Sequence, residues 1–419
     1  MKVEATSRPN CLHQSYFFRV VLWSASKYSL VSTDDTDKPM KSIGFLRYRK
    51  QIFIGMLVLV VISIYLFSQY PIGPEFGTSF GAKSCYEPTS TSYDDIILFE
   101  DIYEAEKQPT PDRSIFFIET SCVRNGLAAL NARQACAVES AARCNPDRDV
   151  FLLFPSQVGF SESLSRPVMK SLRSYHNIHF RRVNYRNYSI GTPAEQFFQT
   201  DKIFKSTYFI ETFSDLLRYL TLYRFGGIYL DTDTVTQQSF NDLPANFAGN
   251  EKRSLANGVM GFDRHGRKIL ELTIKNMFDN FDPYVWGNTG PQVLTGTLLK
   301  ICNVTEVSDM KPEICEGFNV MPKEVFYPIH YSEWERYFDA DHLTESMEKI
   351  KQSIAIHVWN KLSLHQPILK DFKNSTIIKK YGTMLTKSYK ALNPYGETAY
   401  GAIAKMECPQ AYGSSGDLF

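Results

Sequence analysis

The stretch from Ser214 to Asp233, SDLLRYLTLYRFGGIYLDTD, constrains the fold more than any other part of the chain. Leu216, Leu217, Leu220 and Tyr223 recur at helical spacing, with Ser214 available as N-cap and Gly226 as the C-terminal stop. The run IYL then reads as a short buried strand, and it ends in two acids one residue apart. In an open α/β sheet ligands sit beyond the carboxyl ends of strands, which is where Asp231 and Asp233 fall. Residues i and i+2 of an extended backbone share a face, so the two carboxylates are predicted to converge on one cation. An arbitrary D-x-D is more often a solvated turn; placement at a strand end is what favours a metal here.

The rest of the C-terminal region repeats the pattern. SIFFIE from Ser114 reads as a strand, LAALNARQACAVESAAR as a helix, DVFLLFP as a second strand and IHFRRVN as a third. This β-α-β order predicts a Rossmann-like, mostly parallel sheet with covering helices. Asp215 and Arg218, three residues apart, share one face of the helix before the acids. By spacing alone they are more readily a surface ion pair.

Ile52 to Phe67, IFIGMLVLVVISIYLF, carries no charge and follows the basic cluster RYRK at Arg47 to Lys50. The expectation is a transmembrane signal anchor over 51–70 with residues 1–50 as a cytoplasmic tail, since no cleavage-site pattern follows and no basic cluster flanks the other side. Residues 71–112 mix Pro, Gly, Ser and acids and read as a stem, and 113–419 as the lumenal domain. Seven of the eight cysteines lie on that side, so at least one is free or pairs between chains. Cys302 with Cys315 is the preferred local bridge. The sequons at Asn187, Asn303 and Asn374 agree with this topology. A net charge of +1 and the lack of a basic stripe argue against nucleic acid as a partner.

Two enzyme classes could own DTDTV. Phosphatases of the haloacid dehalogenase type use D-x-D-x-T but need a later acidic pair, and the only later Gly-Asp, Gly416–Asp417, stands two residues from the end. Nucleotide-sugar transferases use a D-x-D-bound metal to offset charge on a departing diphosphate. In support of the second, FFIETS, VESAAR, SDLLRYLTLYRFGGIYLDTD, LANGVMGF, WGNTGPQVLT, FYPI and HVWNK occur in this order between Ile115 and Cys408. Together they resemble the α1,4-glycosyltransferase family.

That resemblance implies a GT-A-type fold, a UDP-sugar donor, manganese or magnesium, Golgi residence and retention of anomeric configuration. It implies transfer of galactose or N-acetylgalactosamine to the 4-hydroxyl of a terminal galactose or N-acetylgalactosamine on a glycosphingolipid. Association with a second copy or with other glycosyltransferases is left open. By the same resemblance Asp231 and Asp233 hold the metal with His357 as third ligand, and Asp215 and Arg218 grip the donor sugar. Asn257, in LANGV, would meet a donor hydroxyl, although Asn-Gly is equally an ordinary turn pair. The WGNTGP loop with Gly290 would face the transferred sugar, and Thr120 and Ser121 would lie near uridine. Trp359 is either core or part of the donor site, and Lys361 either neutralises the diphosphate or is solvated. The rival from another class is a tethered lectin or chaperone that kept the fold without catalysis.

Overall fold

The computed structural model describes residues 83–87, 95–123, 125–388 and 392–419. The predicted signal anchor and tail lie outside the described residues; among these no helix is long and apolar enough to cross a membrane.

In chain order the strands are β1 (Ile97–Leu98), β2 (Ile115–Ile118), β3 (Val150–Phe154), β4 (Gly159–Phe160), β5 (Ile178–Arg182) and β6 (Gly227–Leu230). They continue with β7 (Thr234–Thr236), β8 (Phe247–Glu251), β9 (Ser254–Phe262), β10 (Asn319–Met321) and β11 (Ala355–His357). Seven of them form one sheet in the order β10-β8-β9-β6-β2-β3-β5. The pairs β2–β3, β2–β6, β3–β5 and β10–β8 are parallel, while β9 runs antiparallel to both β6 and β8. The sheet is therefore mostly parallel, with β9 as the reversed strand.

Its central strands are apolar at every position because helices cover both faces. Ile115 and Phe117 point into one core with Val150, Leu152 and Phe154; Phe116 and Ile118 point into the other with Phe151, Leu153 and Tyr229. On the first side lies helix α1 (Ala132–Cys144), entered through a capping box in which Asn131 and Gln134 satisfy each other's backbone. The other side carries α2 (Phe209–Phe225), α3 (Arg267–Asp279) and α4 (Pro291–Cys302).

Helix α2 starts earlier than the Ser214 cap predicts. Phe209 and Phe213 are buried and extend its apolar face upstream, so Ser214 sits inside the helix. The stop is where expected. Gly226 takes φ 65° and Gly227 φ 91°, and a Cβ on them would fall 2.2 Å from Asp112 Oδ1 and 2.2 Å from the Ser114 carbonyl oxygen respectively. This double glycine lets the chain reverse directly from helix into β6.

Packing also reaches back into the segment read as stem. Ile102 is fully buried, Asp101 bridges to Arg182 on the edge strand β5, and a disulfide joins Cys85 to Cys122. The folded body thus begins upstream of residue 113. Cys302–Cys315 forms as expected, and Cys136–Cys408 ties α1 to helix α5 (Ala399–Glu407) at its C-terminal cap. Cys144 is the free thiol among the described cysteines. Asn187, Asn303 and Asn374 are all exposed.

Candidate active site

Strand β6 runs up the middle of the sheet and delivers Asp231 at its carboxyl end. The two acids do not converge through strand pleating, as the i, i+2 argument predicts. They lie in a tight turn between β6 and β7, closed by the Thr234 N–H donating to the Asp231 carbonyl at 2.9 Å. Opposite, β11 pairs antiparallel with β7 and places His357 directly against Thr234. His357 Nε2 lies 3.0 Å from Asp233 Oδ1 and 3.6 Å from Asp231 Oδ2. One ligand atom from each of the three residues fits within 4.8 Å of the others.

The turn is held from several directions. Asp233 Oδ2 accepts the backbone N–H of Asn360 at 2.8 Å, and its carbonyl accepts the Val358 N–H at 2.9 Å. Tyr229, two residues before Asp231 and on the same face, donates its hydroxyl to Asp231 Oδ1 at 2.8 Å. Gly258 on β9 passes so close that a Cβ there would stand 2.6 Å from Asp231 Oδ2 and 3.3 Å from the His357 ring. A larger residue would fill the space where the carboxylates and imidazole meet.

Electrostatics suit a cation. Burial favours an uncharged Asp231, but Arg218, His357 and Tyr229 outweigh it and hold its carboxyl down at about 2. Burial likewise disfavours charge on His357, yet Asp233 and Asp231 push the imidazole up to about 10. Without a cation the protonated ring offsets the two carboxylates; a bound divalent ion would take over that charge and leave the imidazole neutral, with a lone pair to donate. Two carboxylate oxygens and one imidazole nitrogen are donors that fit manganese or magnesium. Replacing His357 with Gln should raise the manganese concentration for half-maximal activity by about tenfold, the usual scale for damage at a coordination shell. The melting temperature of the metal-free protein should fall only modestly; an unchanged metal requirement with early melting would make His357 a packing residue instead.

A second group adjoins the first through Arg218. Its Nη1 lies 3.0 Å from Asp231 Oδ1 and donates to the Asn257 carbonyl at 3.1 Å, while Nη2 donates to Ser214 Oγ at 2.8 Å and lies 3.6 Å from Asp215 Oδ1. Asp215 accepts from Asn257 Nδ2 and from Thr289 Oγ1, both at 2.8 Å. Burial, which Arg218, Asn257 and Thr289 oppose, raises the Asp215 carboxyl above its ordinary range. Asp215 and Arg218 are therefore not the surface pair that spacing alone allows. Asn257 lies inside β9 rather than in a turn. Gly290 packs tightly: a Cβ would sit 2.8 Å from Asn257 Nδ2 and 2.9 Å from both Asp215 oxygens.

The other predicted residues have contacts outside these two groups. Thr120, buried at the end of β2, donates to the Ile210 carbonyl at 3.3 Å, and neighbouring Ser121 is exposed. Lys361 is paired with Glu211 and lies 5.2 Å from the Trp286 ring, so it points to the rim of the site rather than to the acids. Trp359 has a left-handed backbone (φ 57°), donates Nε1 to the Ile329 carbonyl at 2.9 Å and packs 4.3 Å from the His357 ring. Tyr229, Thr289 and Tyr219, whose hydroxyl donates to the Gly290 carbonyl, are not among the predicted residues. For Tyr229 the i, i+2 relation to Asp231 is a signal present in the sequence.

Comparison with known proteins fits this arrangement. Residues 262–384 match the family described as the alpha 1,4-glycosyltransferase conserved region, and residues 131–248 match the glycosyltransferase sugar-binding region containing the DXD motif. Lactosylceramide 4-alpha-galactosyltransferase of Homo sapiens is 32% identical over 257 residues, covering 61% of this chain and 70% of that protein. Alpha-1,4-N-acetylglucosaminyltransferase of Homo sapiens is 25% identical over 285 residues, covering 67% and 81%. A solved galactosyltransferase with donor and acceptor sugar analogues aligns over 67% of this chain and 96% of its own, at 13% identity and a TM-score of 0.33. With its D-x-D turn inside the matched sugar-binding region, the chain belongs to the α1,4-glycosyltransferase family.

Proposed function

We propose that the protein is a type II Golgi membrane enzyme of GT-A type. It transfers galactose or N-acetylgalactosamine from a UDP-sugar to the 4-hydroxyl of a terminal galactose or N-acetylgalactosamine on a glycosphingolipid. The observation that carries the reading is the meeting of Asp231, Asp233 and His357 beside the Arg218–Asp215–Asn257 group at one strand end. Relatives named for galactose and for N-acetylglucosamine transfer support a hexosyl donor of this kind.

In this reading Asp231, Asp233 and His357 hold manganese or magnesium, which when bound offsets charge on the diphosphate. Arg218 fixes Asp231 in place and keeps a positive charge next to the leaving group. Asp215 and Asn257, with Gly290 clearing space, face the hydroxyls of the donor sugar. Thr120 and Ser121 lie toward uridine. Lys361 leaves Glu211 to reach the diphosphate. The departing β-phosphate oxygen takes the proton from the incoming 4-hydroxyl, and attack from the same face retains the α configuration.

The test is a donor panel. Full-length protein in detergent, with manganese, is offered UDP-galactose, UDP-N-acetylgalactosamine and UDP-N-acetylglucosamine against lactosyl and N-acetylgalactosamine-terminated glycolipids. An α1,4-linked product from one of the first two donors supports the reading. Preference for UDP-N-acetylglucosamine overturns the donor assignment, and no turnover of any UDP-sugar overturns the enzyme.

A further inference from the structure

The hairpin from β8 to β9 turns through Lys252, which takes φ 61°, and pairs Glu251 with Ser254. This leaves Glu251 at the end of β8, near enough to His357 for their charges to interact. Burial raises its carboxyl above the ordinary range, with His357 and Lys252 opposing. Its Oε1 has no hydrogen-bond partner among the described residues; His330 Nε2 is 3.8 Å away, and burial holds that imidazole toward its neutral form. Beside it, the Tyr327 ring covers Gly249, where a Cβ would come within 2.5 Å. The Tyr327 hydroxyl is buried and likewise unpartnered among the described residues. Two buried polar groups without partners in one place are costly unless something else supplies hydrogen bonds.

Around them stands a continuous aromatic wall that ends at the proposed metal ligand. The ring of His330 lies 4.1 Å from Tyr331, Tyr331 6.0 Å from Trp359, and Trp359 4.3 Å from His357; Tyr327 lies 5.6 Å from His357 and 5.9 Å from Trp359. Tyr331 is 50% exposed, so the wall is open to solvent on one side. None of these groups is taken up by the Arg218–Asp215–Asn257 cluster. Flat apolar rings next to a carboxylate match a pyranose, which offers an apolar face of C–H groups and an edge of hydroxyls.

We propose that Glu251, Tyr331 and Trp359 form the subsite for the acceptor sugar, with the exposed Tyr331 ring against its apolar face, Trp359 standing at 74° to that ring as the adjoining wall, and Glu251 accepting hydrogen bonds from the sugar hydroxyls. The ligand class is a terminal neutral hexopyranose. Charge-assisted bonds from hydroxyl to carboxylate are the strong ones in such a site, so Glu251 contributes chiefly to acceptor affinity and orientation. This assignment rests on the transferase reading above.

Octyl β-lactoside serves as the probe acceptor, with the UDP-sugar that the wild type turns over. Glu251→Gln, which keeps shape, and Tyr331→Ala, at a half-exposed position, are each expected to raise the KM for the lactoside at least about tenfold. The Kd for UDP with manganese should change less than about twofold. If both variants keep the wild-type acceptor KM, the subsite lies elsewhere. A parallel loss of UDP affinity would assign these residues to the donor side and overturn the proposal as well. Failure of the transferase reading looks different, since the wild type itself would then turn over no UDP-sugar.

Discussion

Asp233→Asn is expected to cut turnover at least about a hundredfold while leaving the fold in place. Asp233 sits 3.0 Å from His357 Nε2 and accepts the Asn360 N–H through its other oxygen. An asparagine keeps an oxygen for that N–H and keeps the backbone bond from Val358, so the turn between β6 and β7 should survive. What disappears is one negative charge in the metal's coordination shell. Losing a charged ligand that works against a departing diphosphate should cost about 3 kcal/mol or more in the transition state, which is the hundredfold quoted. Turnover measured across a manganese titration, alongside thermal melting, separates the outcomes. Near wild-type activity at ordinary manganese would remove Asp233 from the metal site.

The order of strands and helices around Asp231 was legible because each local signal agreed with the next. Apolar runs such as FFI and FLLF, short and bounded by polar residues, read as central strands covered on both faces, and the Gly226–Gly227 pair marked the reversal that a Cβ would obstruct. Boundaries were less legible. Ser214 is a good capping residue, but buried Phe209 and Phe213 extend the helix past it, since tertiary packing outweighs a cap of about 1 kcal/mol. Asn257–Gly258 reads as a turn from its dipeptide alone. It forms strand because Gly258 is needed to clear Asp231 and His357. Glu251 and Tyr331 gave no signal at all, and Tyr327 stood out only as part of FYPI: their proximity to His357 arises from a hairpin and a separate loop more than seventy residues apart in sequence, and no periodicity encodes it.

Arg218→Met should be among the most destabilising single changes in the domain, with a loss of about 3 kcal/mol or more. The guanidinium is buried, with its side chain 8% exposed, and it stands between two carboxylates, 3.0 Å from Asp231 and 3.6 Å from Asp215. Burial disfavours its charge, but Asp231 and neighbouring groups more than compensate and hold it firmly protonated. Methionine fills a similar volume and preserves packing over the Tyr229 ring, which the guanidinium faces at 4.7 Å. The change therefore removes charge and donors more than it removes bulk. Asp231 loses its strongest counter-charge, and Asp215 keeps only the neutral donors Asn257 and Thr289. Denaturant unfolding of the metal-free protein gives the size of the loss. The double variant Arg218→Met with Asp231→Asn tells its cause: if an uncompensated carboxylate is responsible, removing that carboxylate should restore at least about half of the stability. A double variant no more stable than Arg218→Met alone would mean that Arg218 acts through packing, and that the charge pair with Asp231 contributes little to holding the metal turn in place.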